Sequence, residues 1–164
     1  MNNEAVRADF FDASALVKVY SDEPGSDVVC EYFRNSATKY TTPYCFYEAL
    51  NVLKGKWKFK SKMTIDQYFE AAFQLAAWYG ESSSHIADLD FTDPATFGEA
   101  KQMAKRHCLD LSDAFQILSV RKGFFSGLAN ESSTVLVTSD KGLADAAKME
   151  GLRVWHTMLE RAPL

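Results

Sequence analysis

The sequence predicts an α/β fold, a parallel or mostly parallel sheet covered by helices on both faces, and three observations predict it. Short apolar runs alternate along the chain with one or two helical patterns, the rhythm of strand–helix–strand units. The strongest run, Thr134-Val-Leu-Val-Thr138, is continuous and β-branched, as a central parallel strand is. Two of the runs end in an aspartate followed at once by a helical pattern, which puts acids at the carboxyl edge where open α/β sheets bind ligands.

The elements follow in order. Ala8-Asp-Phe-Phe-Asp12 is a short strand feeding a helix from Ser14 to Tyr20. Glu23-Pro-Gly25 breaks the chain, and Val28, Val29, Tyr32 and Phe33 give the apolar stripe of a second helix. Lys39-Tyr-Thr-Thr42 reads as a brief strand, with Thr42 as N-cap and Pro43 at the first helical position of a third helix. Phe46, Leu50, Leu53 and Trp57 recur there at three- and four-residue intervals and are expected to form its buried stripe. Thr64-Ile-Asp-Gln67 has the form of a capping box, with Met63 and Tyr68 as a hydrophobic staple. The helix it opens is expected to run to Gly80 and to bury Ile65, Phe69, Ala72, Ala76 and Tyr79.

Ile86-Ala-Asp-Leu-Asp-Phe91 alternates apolar and polar residues, as a half-buried edge strand does. Asp93-Pro94 starts a helix reaching His107, and a break at Leu109-Asp-Leu-Ser112 precedes another from Asp113 to Lys122, ended by Gly123. After the strand at 134–138, a helix from Asp140 to Glu150 closes at Gly151, and Leu152-Arg-Val-Trp155 is a last strand. Gly80-Glu-Ser-Ser-Ser84 and Gly127 to Ser133 read as surface loops.

At 164 residues, 47% hydrophobic and 24% charged, the composition is that of one globular domain spanning 1–164, with residues 1–7 as an N-terminal extension. Disordered and collagen-like chains are excluded. No apolar run reaches the ~18 residues that span a bilayer, and the start lacks the pattern of a secretory signal, so no membrane association and a cytoplasmic location are expected. Cys30, Cys45 and Cys108 have neither disulfide nor zinc-ligand spacing and are expected to be buried free thiols. His85, His107 and His156 are scattered. With 18 basic and 22 acidic side chains the net charge is −4, which argues against gripping nucleic acid by bulk electrostatics and leaves the matter to local patches.

Four acids stand out. Asp12 and Asp140 close two strands and project from one edge if those strands are parallel neighbours, although each is also a natural helix N-cap. Glu48 lies nearly opposite the Phe46 stripe on a face shared with Tyr44, Asn51 and Lys58. Asp113 shares a helical face with Ile117 and Val120, so its carboxylate sits in line with apolar neighbours and needs a partner. Asp110 is a weaker candidate for the same neighbourhood.

Phe11-Asp12-Ala-Ser14-Ala-Leu-Val-Lys18, Tyr47-Glu48-Ala-Leu50, Leu111-Ser-Asp113-Ala114 and Val137-Thr138-Ser-Asp140-Lys-Gly-Leu143, in this order on these elements, resemble the motifs of PIN-domain endoribonucleases. Within that superfamily the chain is similar to the VapC-type toxins of type II toxin–antitoxin pairs. The resemblance implies a three-layer sandwich on a mostly parallel five-stranded sheet, with Asp12, Glu48, Asp113 and Asp140 converging on Mg²⁺ or Mn²⁺. It implies Ser14 and Thr138 as polar supports, RNA as substrate, a small antitoxin protein as partner and a homodimer. The chain departs from many relatives in one place: the further acid one turn after the last aspartate is replaced by Leu143.

The chemistry stands apart from the family name. Crowded carboxylates repel one another and raise some of their pKa values unless cations neutralise them. Oxygen-only ligands suit Mg²⁺ or Mn²⁺, which can activate a water for in-line attack on a phosphodiester without a catalytic histidine. Lys54-Gly-Lys-Trp-Lys-Phe-Lys-Ser-Lys62 adds five lysines and two aromatics in nine residues, so Lys54, Lys56 and Lys58 are candidate RNA contacts. Lys18 and Lys141, flanking the strand ends, are further ones. A phosphatase with Asp12 as nucleophile would want a second aspartate where Ser14 stands. The remaining rival is a noncatalytic RNA- or protein-binding module in which the acids merely cap helices.

Overall fold

The structure is a computed structural model describing residues 7–81, 89–127 and 134–163. The chain runs through β1 (Ala8–Phe11), α1 (Ala13–Tyr20), α2 (Ser26–Asn35), β2 (Thr38–Tyr40), α3 (Pro43–Lys58), α4 (Ile65–Gly80), α5 (Pro94–His107), α6 (Leu111–Lys122), β3 (Val135–Thr138), α7 (Lys141–Met149) and β4 (Arg153–His156). All strand pairs are parallel, in the order β2-β1-β3-β4. The predicted α/β class holds. Among the described residues the sheet has four strands rather than five. Of the strand expected over 86–91, residues 86–88 lie outside the described residues, and Leu89 to Phe91 form no strand. Most of the two expected loops, at 82–84 and 128–133, also lies outside them, as do His85 and residues 1–6. Arg7 donates to Asp9 and to the Tyr32 hydroxyl, 2.7 Å away.

The side-chain alternation of the strands sorts the two faces. Phe11, Val137 and Trp155 are in register and meet α2, where Phe11 stacks edge-on against Phe33 at 5.0 Å and Trp155 lies 4.7 Å from the Tyr32 ring. Phe10, in register with Tyr40 and Leu136, faces the other way, and Tyr40 meets Phe125 just beyond α6. Truncating a fully buried ring such as Phe11 to Ala costs about 3–5 kcal/mol.

Caps were predicted well because they are local. Thr42 accepts from Cys45 N–H with Pro43 behind it, and the Thr64/Gln67 capping box forms in both directions. Helix faces were predicted less well. On α3 the buried positions are Cys45, Ala49, Leu53 and Lys56, one step round from the expected stripe. Small Cys45 and Ala49 let α3 approach α1 closely, while Phe46 and Trp57 stack instead on Tyr79 and Tyr68 of α4, at 4.2 and 5.0 Å. On α4 the buried residues are Ala71, Leu75 and Trp78, with Trp78 against Phe33. The expected face is largely outside: Ile65 and Phe69 are exposed, as is Phe73.

α6 is buried on every side from Ala114 to Val120, as a helix wedged between sheet and neighbours must be. It packs on α5 and α7. Cys45 is buried as expected, Cys30 is half-buried, and Cys108 is exposed at the left-handed C-cap of α5, a correction to the expectation of three buried thiols.

Candidate active site

The chain leaves β1 toward β2 on one side and returns to β3 on the other, so the strand order reverses between β1 and β3. A crevice opens at the carboxyl ends of such a pair. Asp12 and Asp140 stand there, immediately after β1 and β3.

Asp12 is 2% exposed and caps α1, accepting from Ala15 N–H at 2.7 Å. Two hydroxyls complete its shell. Ser14 Oγ donates to the carboxylate at 2.8 and 2.9 Å and accepts from Ser139 N–H at 2.7 Å. Thr138 Oγ1 donates to Asp12 Oδ2 at 2.6 Å and accepts from Asp140 N–H at 2.9 Å. Each hydroxyl therefore ties the β3–α7 junction to Asp12, and the two strand ends are locked together. Asp140 caps α7 through Oδ1, which takes Leu143 N–H at 2.8 Å.

The other acids come from helices. Glu48, half-buried on α3, accepts from Ser112 Oγ at 3.3 Å. Asp110 caps α6 by accepting from Asp113 N–H at 2.9 Å. Asp113, one turn on, takes no side-chain hydrogen bond from a described residue. Burial pushes Asp113 up to about 7, with the charges of Asp110, Asp140, Asp12 and Glu48 adding to it. Burial also pushes Asp12 up to about 6, against the Thr138, Ala15 and Ser14 hydrogen bonds, with Glu48 reinforcing the rise. Glu48 is raised by burial and by Asp110 and Asp140, partly offset by Ser112.

The four predicted acids are thus near enough to feel one another, and Asp110 joins them as a fifth. The sequence offered Asp110 only as a weaker candidate, because it stands in the break before the helix that carries Asp113. The hydrogen bonds opposing these shifts come from hydroxyls and a peptide N–H, none from a cation. Among the described residues, no three acids, histidines or cysteines already close into a metal-binding set. The donor chemistry nevertheless fits a hard divalent cation: the ligands are all carboxylate oxygens, and their shared charge is uncompensated.

The predicted basic residues divide. Lys18 is buried, its Nζ on Glu23 at 2.8 Å and on Pro24 O at 2.6 Å. Lys56 is buried too and pairs with Glu23 and Ser21. Both ammonium groups are committed internally, which corrects the expectation that they contact RNA. Lys54, Lys58 and Lys141 are exposed, Lys141 pairing with Asp145. His107 binds Glu150 at 2.7 Å and His156 is buried, so neither joins the acids.

The PIN domain family model matches residues 10–149, most of the chain. The chain is a PIN domain. A crystal structure of PAE2754 from Pyrobaculum aerophilum superposes with a TM-score of 0.57 at 21% identity, covering 96% of both chains, and supports the fold. No curated protein matches. The PIN domain is generally a nuclease fold, and in this PIN domain Asp12 and Asp140 stand at the carboxyl ends of β1 and β3.

Proposed function

We propose that the protein is a Mg²⁺- or Mn²⁺-dependent endoribonuclease, the toxin of a toxin–antitoxin pair, acting on RNA in the cytoplasm. The observation that supports it is the uncompensated carboxylate cluster at the β1/β3 switch point. Asp12, Glu48, Asp113 and Asp140 would hold the metal. Asp12 is the anchor, because Ser14 and Thr138 fix both its oxygens. Asp113, raised to about 7 with no described cationic side chain beside it, would give up its proton when a divalent cation binds among the acids. When bound, the metal supplies Lewis acidity to the attacking water and the departing 3′ oxygen. Such cleavage needs no histidine and leaves a 5′ phosphate.

Of the lysines expected to contact RNA, Lys54 and Lys58 are exposed without an ion pair among the described residues, Lys58 lying over the Trp57 ring at 5.4 Å, and they would supply phosphate contacts. No helix among the described residues is long and apolar enough to cross a membrane. The antitoxin partner of this reading is a small protein placing a basic side chain among the acids. A homodimer would use the exposed apolar side chains of α4, among them Phe69 and Phe73.

The second reading, a noncatalytic binding module, draws on the caps, since Asp12, Asp110 and Asp140 each already serve a helix. One experiment separates the two. Mn²⁺-dependent cleavage of single-stranded RNA is expected from the wild type and, in Asp12→Asn with its circular dichroism unchanged, a loss of more than about 100-fold, beyond what outer-shell changes cost. Cleavage retained in that variant sinks the nuclease assignment.

A further inference from the structure

A cavity of about 400 Å³ lies beside the carboxylates, lined by Tyr44, Tyr47, Glu48, Asn51 and Ser112. The first four stand at i, i+3, i+4 and i+7 on α3 and so share one helical face, and Ser112 reaches across from α6. Exposed aromatics alone mean little. These two are exposed yet held: Tyr47 is 65% exposed with its edge against Phe46, 5.3 Å away, and Phe46 is itself stacked on Tyr79. Tyr44, 40% exposed, meets Phe91 edge-on at 6.1 Å, and Phe91 rests on buried Phe115.

We propose that this cavity is a nucleobase pocket, in which the base next to the cut phosphodiester stacks on Tyr47 and Tyr44 and is read by the Asn51 amide and the Ser112 hydroxyl. The inference rests on the nuclease reading and adds a source of sequence preference to it. Two ring faces offer stacking to any base, and an amide that both donates and accepts can tell base edges apart. The cavity shares Glu48 with the acid cluster, so a strand whose phosphate lies at Asp12 and Asp140 must pass its mouth. A neutral base suits a wall that contains a carboxylate better than a second phosphate would.

The test moves one abasic nucleotide stepwise through a short single-stranded RNA and follows Mn²⁺-supported cleavage. Wild type is expected to lose about 10- to 100-fold in kcat/KM at one position beside the cut bond, the range stacking of one base carries. Tyr47→Ala is expected to show that loss on intact RNA and no further loss at the abasic position, whereas Tyr47→Phe keeps the wild-type pattern. A second arm reads binding without cleavage: in the Asp12→Asn background, RNA carrying 2-aminopurine at that position should be quenched, with quenching kept by Tyr47→Phe and lost in Tyr47→Ala. Tyr47-dependent quenching in a protein that cuts no RNA keeps the pocket and removes the nuclease reading. Cleavage without a position-specific penalty, or with one that survives Tyr47→Ala, overturns the pocket and leaves the nuclease reading standing.

Discussion

The two ends of α6 treat a shielded carboxylate in opposite ways. At its C-terminal end Arg121 joins Arg106 and His107 around Glu150, whose side chain is 9% exposed. The His107 hydrogen bond, with help from Arg121 and Arg106, overcomes burial and holds Glu150 below its usual range. At the N-terminal end Asp113 faces Asp110, Asp140, Asp12 and Glu48 and is pushed up to about 7. The Glu23 site follows the first pattern: burial would raise it, and Lys18 and Lys56 bring it down. At Glu150 and Glu23 the chain thus sets cations against a shielded acid, and at Asp113 it sets other acids. Where it withholds cations, charge is kept for something from outside.

The largest test of that contrast is pH. Asp12 has a folded pKa of about 6 against 3.8 when unperturbed, so between those values the folded chain holds the extra proton. Its stability must then fall as pH rises. The metal-free protein should lose about 2 kcal/mol through Asp12 between pH 4 and 7, with Asp113 extending the decline to about 7. Urea unfolding at several pH values in EDTA checks this, and a rise in stability over that range would break the contrast.

Mn²⁺ should reverse the decline. At about 100 times its dissociation constant a ligand adds about 2.7 kcal/mol, a shift in Tm that Asp12→Asn should abolish. Next comes a pair of neutralisations. Glu150→Gln should destabilise by about 1–3 kcal/mol, because it strands cationic donors, while Asp113→Asn in EDTA at pH 8 should stabilise. Loss of stability in both would mean that Asp113 has a partner after all. The smallest effect belongs to the lysines. Lys54→Ala and Lys58→Ala should each lower the salt slope of RNA binding by about 1, whereas Lys56→Ala should reduce stability and leave the slope alone.

Local chemistry was legible in the sequence, and three-dimensional choice was not. Strand ends, caps and breaks depend on neighbours within four residues, so Asp12, Thr42, Thr64 and Asp140 could be placed directly. The inward face of α4 could not: Ile65, Tyr68, Phe69, Ala71, Phe73, Leu75 and Trp78 put apolar groups all round it, and periodicity cannot rank them. The ring of Phe33 and the seam with α3 decide. Lys18 and Lys56 show the same limit, because the acid that buries them lies in a different segment. Asp113 was recognisable as an acid among apolar neighbours, but its closeness to Glu48 comes only from the tertiary fold, which brings the start of α6 within hydrogen-bond reach of Glu48 through Ser112.

The Thr138 to Asp12 hydrogen bond joins residues 126 positions apart. A polypeptide growing from its N-terminus has every catalytic candidate except Asp140 long before β3 exists to gather them. Closure of that long loop comes late, so the acids of a growing chain stay apart until the strand that carries Thr138 has been made and has paired with β1.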